Sequence, residues 1–547
     1  MSEIQTFGRL LDHAAKTWPQ RDAIIFPGHH RSYEELHAAA MTRAKQLVAL
    51  GVEPGDHVGI LLPTCIEFVE VMFGIAMAGA VMVPINARYR ANEIQYLTEN
   101  ADLVTIVTTG QVAEGVNFVE RLCEGLPGLD GAENPWALDV EAAPELRNVM
   151  VLGDDYVDGM LLEAAVWAEA REVPDSVIET AFNNVQGGDL AMILYTSGTT
   201  SNPKGCMISG GSLIANGRAL AKAYEMTGDD KFWSPLPMFH IAATFPICAC
   251  FDLGAAYVTM SYFEAGTALK LLEDTRSTVT YPCFVTIISD MINHPSFDDT
   301  DLSHVRVMNS NLAVQPPEFA EKLKQAMPQA IQVGTFGLSE ASGSICSTPL
   351  DAPEEQRITR LGSPLPGQEV KICDPDTGEE VPTGERGEIC ARGPNIMMGY
   401  YKDPEKTAET LKDGWLHTGD IGSLDENGTI MFHGRFKDML KVGGENVAAA
   451  EIEGLLQDHP AVKLAQVVGI PDPRLVEIPA AFVELQPGQT ATEADLIAHF
   501  KGKVSSFKIP RHIRFVTEWP MSTTKIKKFA LRDQLEAELA AEKGAAE

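Results

Sequence analysis

The chain has 547 residues, too many for a single hydrophobic core, so it predicts at least two domains. Its apolar share of 45% and charged share of 22% are typical of a globular protein. The net charge of −33 disfavours nucleic acid and anionic membrane as partners.

The negative charge is unevenly distributed along the chain. From Gly434 to the end there are 15 Lys and Arg against 16 Asp and Glu, so nearly all of the excess lies in residues 1–433. The nine cysteines follow no paired metal-ligand spacing, which predicts reduced thiols in a cytoplasmic protein and no zinc site. We predict neither a secretory signal nor a transmembrane segment.

The first third of the chain alternates strand and helix patterns. Residues 56–62 predict a buried strand, residues 67–80 a helix and residues 81–85 the next strand, which together indicate a parallel α/β unit. Residues 189–195 predict a strand of the same kind. Residues 125–160 are rich in Pro, Gly and acids and predict a surface excursion.

The second half of the chain predicts two further units. Clustered Pro and Gly around residues 362–393 indicate a small β-rich unit. After Gly434, helix and strand patterns alternate within a short span, as in a compact α+β module. We therefore predict an α/β fold. A large N-terminal domain, residues 1–433, would contain parallel α/β subdomains plus the β-rich unit, and a small α+β domain, residues 434–547, would follow it.

A segment rich in Ser, Thr and Gly directly follows the strand that ends at residue 194. Residues 195–205 read Tyr-Thr-Ser-Gly-Thr-Thr-Ser-Asn-Pro-Lys-Gly. Backbone N–H groups, hydroxyls and one ammonium that converge on one point are what a triphosphate requires. The spacing differs from the Walker pattern, and a flexible surface loop is the alternative. The predicted phosphate-binding residues are Thr196, Ser197, Gly198, Thr199, Thr200 and Lys204.

A serine shortly after this segment has two interpretations. Residues 209–213 read Ser-Gly-Gly-Ser-Leu, which superficially resembles the attachment serine of a carrier protein. The segment lies where a helix should begin, and serine is a preferred helix cap. We favour the helix cap.

Seven further motifs follow along the chain. They are Pro-Leu-Pro-Met-Phe-His at 235–240, Met-Asn-Ser-Asn-Leu at 308–312, Gly-Thr-Phe-Gly-Leu-Ser-Glu at 334–340, Trp-Leu-His-Thr-Gly-Asp at 415–420, Gly-Arg-Phe-Lys-Asp at 434–438, Gly-Gly-Glu-Asn-Val at 443–447 and Pro-Met-Ser-Thr-Thr-Lys-Ile-Lys-Lys at 520–528. With the segment at 195–205, the series resembles the adenylate-forming superfamily of acyl-CoA synthetases, luciferases and peptide-synthetase adenylation domains. Residues 308–312 are the exception, because they replace the Gly-Gly-Ala-Pro stretch that is common in the family. The resemblance covers nearly the whole chain and implies ATP, Mg²⁺ and coenzyme A.

The resemblance implies roles for the residues around the nucleotide. Glu340, with Thr196, would hold Mg²⁺, and Phe336 would stack on adenine where the family has Tyr. Ser339 would contact phosphate where the family has Thr. Asp420 would accept hydrogen bonds from both ribose hydroxyls, which suits a carboxylate because it is an acceptor only. The remaining nucleotide-site predictions are His240, Gly334, Thr335, Gly337 and Arg435.

The C-terminal motifs imply a mobile domain. Lys525 is the predicted catalytic lysine, although the Gly that precedes this lysine in the family is missing and the segment is one residue shorter. Lys527 and Lys528 are the competing assignments. Lys437 would be the hinge, and the stretch Gly443, Gly444 and Glu445 would approach the CoA thiol after the domain has rotated.

The resemblance predicts an acid–CoA ligase that first forms an acyl-adenylate and then a thioester. The acyl pocket would be formed by Phe239, Ile241, Ser310, Asn311 and Leu312. Because none of these is charged, we predict a medium-chain, branched, cyclic, aromatic or steroid side-chain acid. Transfer to a separate carrier protein and a catalytically silent binding protein are the alternatives, and a homodimer is an open alternative for the oligomeric state.

Overall fold

The fold was taken from a computed structural model. It describes the chain except residues 1–3, 114, 197–202, 313–316, 376, 436–438, 443–444, 473–474, 502, 505, 523–524 and 547. The first part of the chain contains, in order, α1 (Phe7–Thr17), β1 (Asp22–Phe26), β2 (His29–Ser32), α2 (Tyr33–Ala49), β3 (His57–Leu61), α3 (Ile66–Met77), β4 (Val81–Pro84), α4 (Ala91–Asn100), β5 (Leu103–Thr109), β6 (Val112–Ala113), β7 (Val116–Asn117), α5 (Phe118–Gly125), β8 (Asn148–Leu152), β9 (Leu161–Leu162), α6 (Glu163–Ala170) and α7 (Asp175–Asn184).

The middle of the chain continues the alternation. It contains β10 (Leu190–Thr196), β11 (Lys204–Ser209), α8 (Gly210–Ala223), β12 (Lys231–Trp233), α9 (Ile241–Leu253), β13 (Ala256–Val258), α10 (Ala265–Thr275), β14 (Val279–Thr280), α11 (Val285–Ile292), β15 (Val307–Asn309), α12 (Pro317–Ala326) and β16 (Ile331–Val333).

The last third is richer in strands. It contains β17 (Thr335–Leu338), β18 (Gly343–Ser347), α13 (Glu354–Thr359), β19 (Ser363–Pro364), β20 (Glu369–Cys373), β21 (Gly387–Arg392), β22 (Gly399–Tyr400), α14 (Pro404–Thr410), β23 (Leu411–Lys412), β24 (Trp415–Leu424), β25 (Ile430–Arg435), β26 (Met439–Val442), β27 (Glu445–Ala448), α15 (Ala449–Gln457), β28 (Val462–Asp472), β29 (Val476–Leu485), α16 (Glu493–His499), β30 (His512–Phe515), β31 (Met521–Ser522), β32 (Lys525–Ile526) and α17 (Lys528–Ala546).

Two large sheets organise the N-terminal part. One has the strand order β22-β11-β10-β4-β3-β5-β8-β9, and the other has the order β16-β15-β14-β12-β13-β1-β2. In both, the inner strands run parallel, and antiparallel pairing is confined to one end, at β10-β11-β22 and at β1-β2. This arrangement confirms the parallel α/β unit predicted from residues 56–85.

The predicted surface excursion at residues 125–160 is wrong in part. Its last third contains β8, in which all five residues are buried and which pairs in parallel with β5. The loop before it is also anchored, because Leu129, Val140 and Leu146 are buried in the same apolar cluster. Pro, Gly and acidic residues dominate the composition of this stretch and conceal a five-residue strand.

The β-rich unit and the C-terminal unit have separate sheets. Strands β20-β21-β24-β23, with β25 paired to β24, form the first, and β27-β26-β29-β28, with β30 paired to β29, form the second. The C-terminal unit has apolar clusters of its own, which include Leu440, Phe482 and Leu535. Strand β25 extends across the boundary that we predicted between residues 433 and 434, so the change of sheet comes after Arg435.

The structure also bears on the cysteines and on membrane-spanning helices. All nine cysteines are free thiols, as their spacing predicted. Within the described ranges, no helix combines the length and the apolar character that crossing a membrane requires.

Asp230 links the starts of three strands in the second large sheet, β12, β14 and β15. Its carboxylate accepts two hydrogen bonds of 2.8 Å from Arg306, one of 2.7 Å from the Thr278 hydroxyl and one of 2.8 Å from the Thr227 N–H. Burial acts to raise the pKa of Asp230, but these hydrogen bonds outweigh it and the pKa lies below its ordinary value. The carboxylate is therefore charged and stabilises the sheet at neutral pH.

Replacing Asp230 with Asn should lower the free energy of unfolding by roughly 3 kcal/mol at pH 7, because Arg306 then loses a partner that is 6% exposed. A lowered folded pKa stabilises the protein above the unfolded pKa of about 3.9, and this contribution is lost as the pH falls through the folded pKa. The difference in free energy of unfolding between wild type and variant should thus be largest above about pH 5 and decrease in acid. Urea unfolding at several pH values measures it. Asp229→Asn, at a carboxylate 88% exposed, should change stability by less than about 0.5 kcal/mol.

Candidate active site

The predicted phosphate loop joins two antiparallel strands. Thr196, the last residue of β10, lies opposite Lys204, the first residue of β11, and its hydroxyl donates to the Lys204 carbonyl at 3.5 Å. The predicted residues Ser197, Gly198, Thr199 and Thr200 lie outside the described part of the chain. A second strand here was not predicted. The Ser209 hydroxyl accepts the Ser212 N–H at 3.1 Å, which confirms the helix cap at the start of α8.

Tyr400 links the phosphate loop to Glu340. It is paired with Cys206 in the sheet, and its hydroxyl donates to Glu340 Oε1 at 2.8 Å. The ammonium of Lys204 lies 5.8 Å from the centroid of the Tyr400 ring. Burial and the Glu340 carboxylate raise the pKa of Tyr400 far above its ordinary value, so the phenol stays protonated and donates. The structure therefore brings Lys204 and Glu340, separated by more than a hundred residues, to one tyrosine.

The thiol of Cys206 interacts with both Thr196 and Glu340. Its pKa is raised well above the ordinary value, first by complete burial and then by the Glu340 carboxylate, while a hydrogen bond with Thr196 acts in the opposite direction. The thiol is therefore neutral, and it lies near both the hydroxyl and the carboxylate. Thr196 and Glu340, which we predicted as the metal-holding pair, thus both interact with one buried side chain.

The turn that carries Glu340 is fixed from both sides. Asn216 of α8 donates to the carbonyls of Ala341 at 3.1 Å and Ser344 at 2.8 Å, and Asn395 donates to the Ala341 carbonyl at 2.9 Å. The Met397 N–H bonds to the Glu340 carbonyl at 2.8 Å.

The contacts of the Glu340 side chain suit a divalent cation. Among the side chains that the structure describes, no Lys or Arg forms an ion pair with its carboxylate. Tyr400 holds only Oε1. Because Mg²⁺ prefers oxygen ligands and is bound by few carboxylates, a glutamate on a fixed turn, with Oε2 unbonded among the described residues, fits such an ion.

The segments predicted for adenine and for the acyl group leave neighbouring parallel strands. Asn309, the last residue of β15, pairs with Val333, the last residue of β16. Asn309 donates to the Thr335 hydroxyl at 2.9 Å, and the Thr335 N–H donates to Asn311 Oδ1 at 2.6 Å. Asn311 adopts a left-handed conformation with φ of 49°, which asparagine tolerates better than most residues. The ends of parallel strands are where α/β sheets bind ligands.

Close packing explains two residues of the predicted adenine segment. A Cβ at Gly337 would lie 2.0 Å from the Gly343 carbonyl oxygen, so only glycine fits between β17 and β18. The Phe336 ring is 8% exposed, and its centroid lies 6.5 Å from that of Phe432. Its role in stacking on adenine stays a prediction. Ser339, in the turn beside Glu340, is buried.

Asp420, predicted to bind ribose, lies directly opposite Arg435 in the pairing of β24 with β25. Asp420 is 1% exposed, and its backbone N–H donates to the Thr418 hydroxyl at 3.1 Å. The Thr418 hydroxyl in turn donates to the Ile389 carbonyl at 2.7 Å. The backbone therefore brings Asp420 side by side with Arg435, which is predicted to contact ribose or phosphate.

The predicted acyl-pocket residues contribute to the main apolar core. Phe239, Ile241 and Leu312 are buried in one cluster, and Ser310, two residues before Leu312, is also fully buried. His240 caps the N-terminus of α9, where its Nδ1 accepts the Ala242 N–H at 3.4 Å. This bond gives His240 a local structural role, and its proximity to the nucleotide stays a prediction.

The C-terminal residues are described in part. Lys525 is the first residue of β32 and pairs with Ser522 across a hairpin. The Lys528 ammonium lies 2.6 Å from Glu453, an ion pair within the C-terminal unit that disfavours it as the catalytic lysine. Lys437, Gly443 and Gly444 lie outside the described residues, and Glu445 opens β27.

A separate cavity lies at the other end of β10. Its volume is about 430 Å³, and it is lined by the starts of β4, β10 and α8 and by parts of α1, α3 and α7. Asp189 is the only charged side chain among its lining residues. Because Thr196 is at the opposite end of β10, this cavity is distinct from the predicted nucleotide site.

Known proteins resemble this chain over almost its full length. The profile of the AMP-binding enzyme family matches residues 11–401, and that of the AMP-binding enzyme C-terminal domain matches residues 451–527. The chain is 34% identical over 541 residues to the putative acyl-CoA synthetase YngI of Bacillus subtilis (strain 168), with 98% of each chain covered. It is 32% identical over 552 residues to the mitochondrial medium-chain acyl-CoA ligase ACSF2 of Rattus norvegicus, which covers 98% of this chain and 88% of the relative.

A solved structure extends the likeness to three dimensions. The crystal structure of the anthranilate CoA ligase AuaEII in complex with anthranoyl-AMP has a TM-score of 0.83 and 26% identity, with 98% of both chains covered. This agreement confirms the predicted fold class, with a large α/β part and a small C-terminal part.

Proposed function

This chain belongs to the AMP-binding enzyme family, in the acyl-CoA ligase branch of the adenylate-forming superfamily, and from that membership we propose that Thr196, Lys204 and Glu340 form the place where it adenylates a medium-sized apolar carboxylic acid. As an AMP-forming acid–CoA ligase it joins a carboxylic acid to coenzyme A with the use of ATP. The observation that carries the assignment of the site is the contact of Tyr400 with both Lys204 and Glu340.

In the first half-reaction, the carboxylate oxygen of the acid attacks the α-phosphate of ATP and pyrophosphate leaves. Negative charge grows on the α-phosphate and on the leaving oxygens, so fixed donors near them lower the barrier. Thr196 would donate its hydroxyl, and Lys204 and Lys525 would supply positive charge. Bound Mg²⁺ would neutralise phosphate charge, with Glu340 and Thr196 as its protein ligands.

The second half-reaction transfers the acyl group. The CoA thiol loses its proton to solvent and attacks the acyl-adenylate carbonyl, a thioester forms, and AMP leaves with the electron pair of the broken C–O bond. Asp420 would retain the ribose through both steps, because a buried carboxylate accepts from two hydroxyls. We propose that the C-terminal domain rotates about Lys437 between the steps, so that Lys525 withdraws and the stretch from Gly443 to Glu445 lines the thiol channel.

The proposed acid is medium-chain, branched, cyclic, aromatic or of the steroid side-chain type. The predicted acyl residues Phe239, Ile241 and Leu312 are buried and apolar, and none of the predicted pocket residues is charged. An apolar pocket gains free energy from each methylene that it removes from water, about 0.8 kcal/mol per group. Relatives named for medium-chain acids and for anthranilate support this size range. A cytoplasmic location and a homodimer stay predictions.

A panel of acids, scored by pyrophosphate release with and without CoA, tests the proposal. We expect apolar acids of medium size to release pyrophosphate, and CoA to increase AMP release in the absence of any carrier protein. Dicarboxylic acids of the same length serve as controls and should react poorly, since their second charge would be buried. AMP release that required an added carrier protein would favour the carrier-dependent alternative, and equal rates for dicarboxylic acids would exclude an apolar pocket.

A further inference from the structure

Strands β21 and β24 bring three different donor atoms together outside the predicted nucleotide contacts. They are Glu388 and Cys390, two residues apart on β21, and His417, which pairs with Cys390 across the sheet. One carboxylate oxygen, the thiol sulphur and an imidazole nitrogen all lie within 4.8 Å of one another. His417 Nδ1 is 2.7 Å from Glu388 Oε2 and 3.6 Å from Cys390 Sγ.

These distances can be compared with a tetrahedral zinc site. With Zn–S near 2.3 Å and Zn–N near 2.0–2.1 Å, the sulphur and nitrogen ligands of such a site are about 3.6 Å apart. The Cys390–His417 separation already has this value. The nitrogen and oxygen ligands would be about 3.4 Å apart, so the Glu388 oxygen would have to move by roughly 0.7 Å. A hydrogen bond between the two groups accounts for the shorter distance when no cation separates them.

The surroundings of the three donors suit a bound cation. The other carboxylate oxygen, Glu388 Oε1, accepts the Gly419 N–H at 2.9 Å, which is the kind of outer hydrogen bond that orients a metal ligand. Cys390 is fully buried, while the side chains of Glu388 and His417 are 12% and 16% exposed. The cluster is therefore held on two paired strands, and its Glu388 and His417 side chains are partly exposed.

We propose that Glu388, Cys390 and His417 bind a zinc-like divalent cation, with water as the fourth ligand. A mixed set of thiolate, imidazole and carboxylate selects Zn²⁺ or Co²⁺ over Mg²⁺. Binding releases the thiol proton to solvent, requires the His417 proton to reside on Nε2 so that Nδ1 is free to bind, and replaces the His417–Glu388 hydrogen bond by two bonds to the metal. The site would stabilise the part of β24 that leads to Asp420, three residues after His417, and it is separate from the Mg²⁺ ligands proposed above.

Cobalt titration of the full-length protein, stripped with a chelator and free of nucleotide, tests the site. A single equivalent of Co²⁺ should produce a thiolate-to-cobalt absorption band in the near ultraviolet, and Zn²⁺ should abolish it. Cys390→Ser should remove the band, and His417→Gln should weaken binding by about tenfold or more. Cys123→Ser, at a half-buried thiol outside the cluster, is the matched control and should keep the band.

Several outcomes would overturn the proposal. A band that persists in Cys390→Ser would assign the cation to another thiol, such as Cys206 near Glu340. Folded wild-type protein that takes up no stoichiometric Co²⁺ would show that the three groups are only a hydrogen-bonded cluster. Circular dichroism of each variant separates loss of the ligand from loss of the fold.

Discussion

Replacing Lys525 with Ala is expected to slow acyl-adenylate formation by about two powers of ten or more, while thioester formation from supplied acyl-adenylate stays near the wild-type rate. The ammonium is proposed to stabilise charge on the α-phosphate, and loss of one such fixed donor costs about 10²- to 10³-fold. In the second half-reaction this lysine is proposed to have withdrawn, so its loss should have little effect there. Pyrophosphate release measures the first step, and thioester formation from synthetic adenylate measures the second.

Three other lysines provide the comparison for Lys525→Ala. Lys527→Ala tests the competing assignment, and Lys528→Ala removes the partner of Glu453. Lys501→Ala removes an exposed positive charge from the same unit and should leave both steps unchanged. Equal losses in both half-reactions of Lys525→Ala would contradict the role, and so would a selective loss of adenylation in Lys527→Ala with Lys525→Ala active.

Periodic hydrophobic segments were predicted well because the local sequence carries the signal. Strand β3, helix α3 and strand β4 were expected from residues 56–85, where apolar runs are bounded by turns and the strands are buried on both faces. The short strand β8 was missed, because its five buried residues follow a long polar stretch. Composition averaged over a window cannot detect a short strand whose pairing partner lies elsewhere in the chain.

Contacts between strands that are distant in the chain could not be predicted from the sequence. The motifs indicated Glu340 and Lys204 separately, but Tyr400, which contacts both, belongs to no motif that we recognised. Its position depends on the antiparallel pairing of β22 with β11, two strands that are nearly two hundred residues apart in the sequence. The cluster of Glu388, Cys390 and His417 was missed for the same reason. Cysteine spacing along the chain gives no signal when a metal ligand set is assembled from two paired strands.

Replacing Glu340 with Gln should slow adenylate formation by about 10²- to 10³-fold and raise the Mg²⁺ concentration needed for half-maximal rate. Glutamine keeps the shape of the side chain and can still accept from the Tyr400 hydroxyl, so the change removes the charge and little else. Tyr400→Phe removes a single hydrogen bond to the carboxylate, about 1 kcal/mol, and should slow the reaction by roughly fivefold. Pyrophosphate release at graded Mg²⁺ measures both variants.

The relative size of these two effects distinguishes a metal ligand from a structural acid. If Glu340 only anchored Tyr400, then Glu340→Gln and Tyr400→Phe would have similar, small effects, and neither would change the Mg²⁺ dependence. Glu355→Gln, at an exposed glutamate, should match the wild type in rate and in Mg²⁺ requirement. Thermal unfolding of all three variants checks that the turn remains held by Asn216 and Asn395, which bond to its backbone and not to the Glu340 side chain. A large effect restricted to Glu340→Gln therefore requires the negative charge itself at this position.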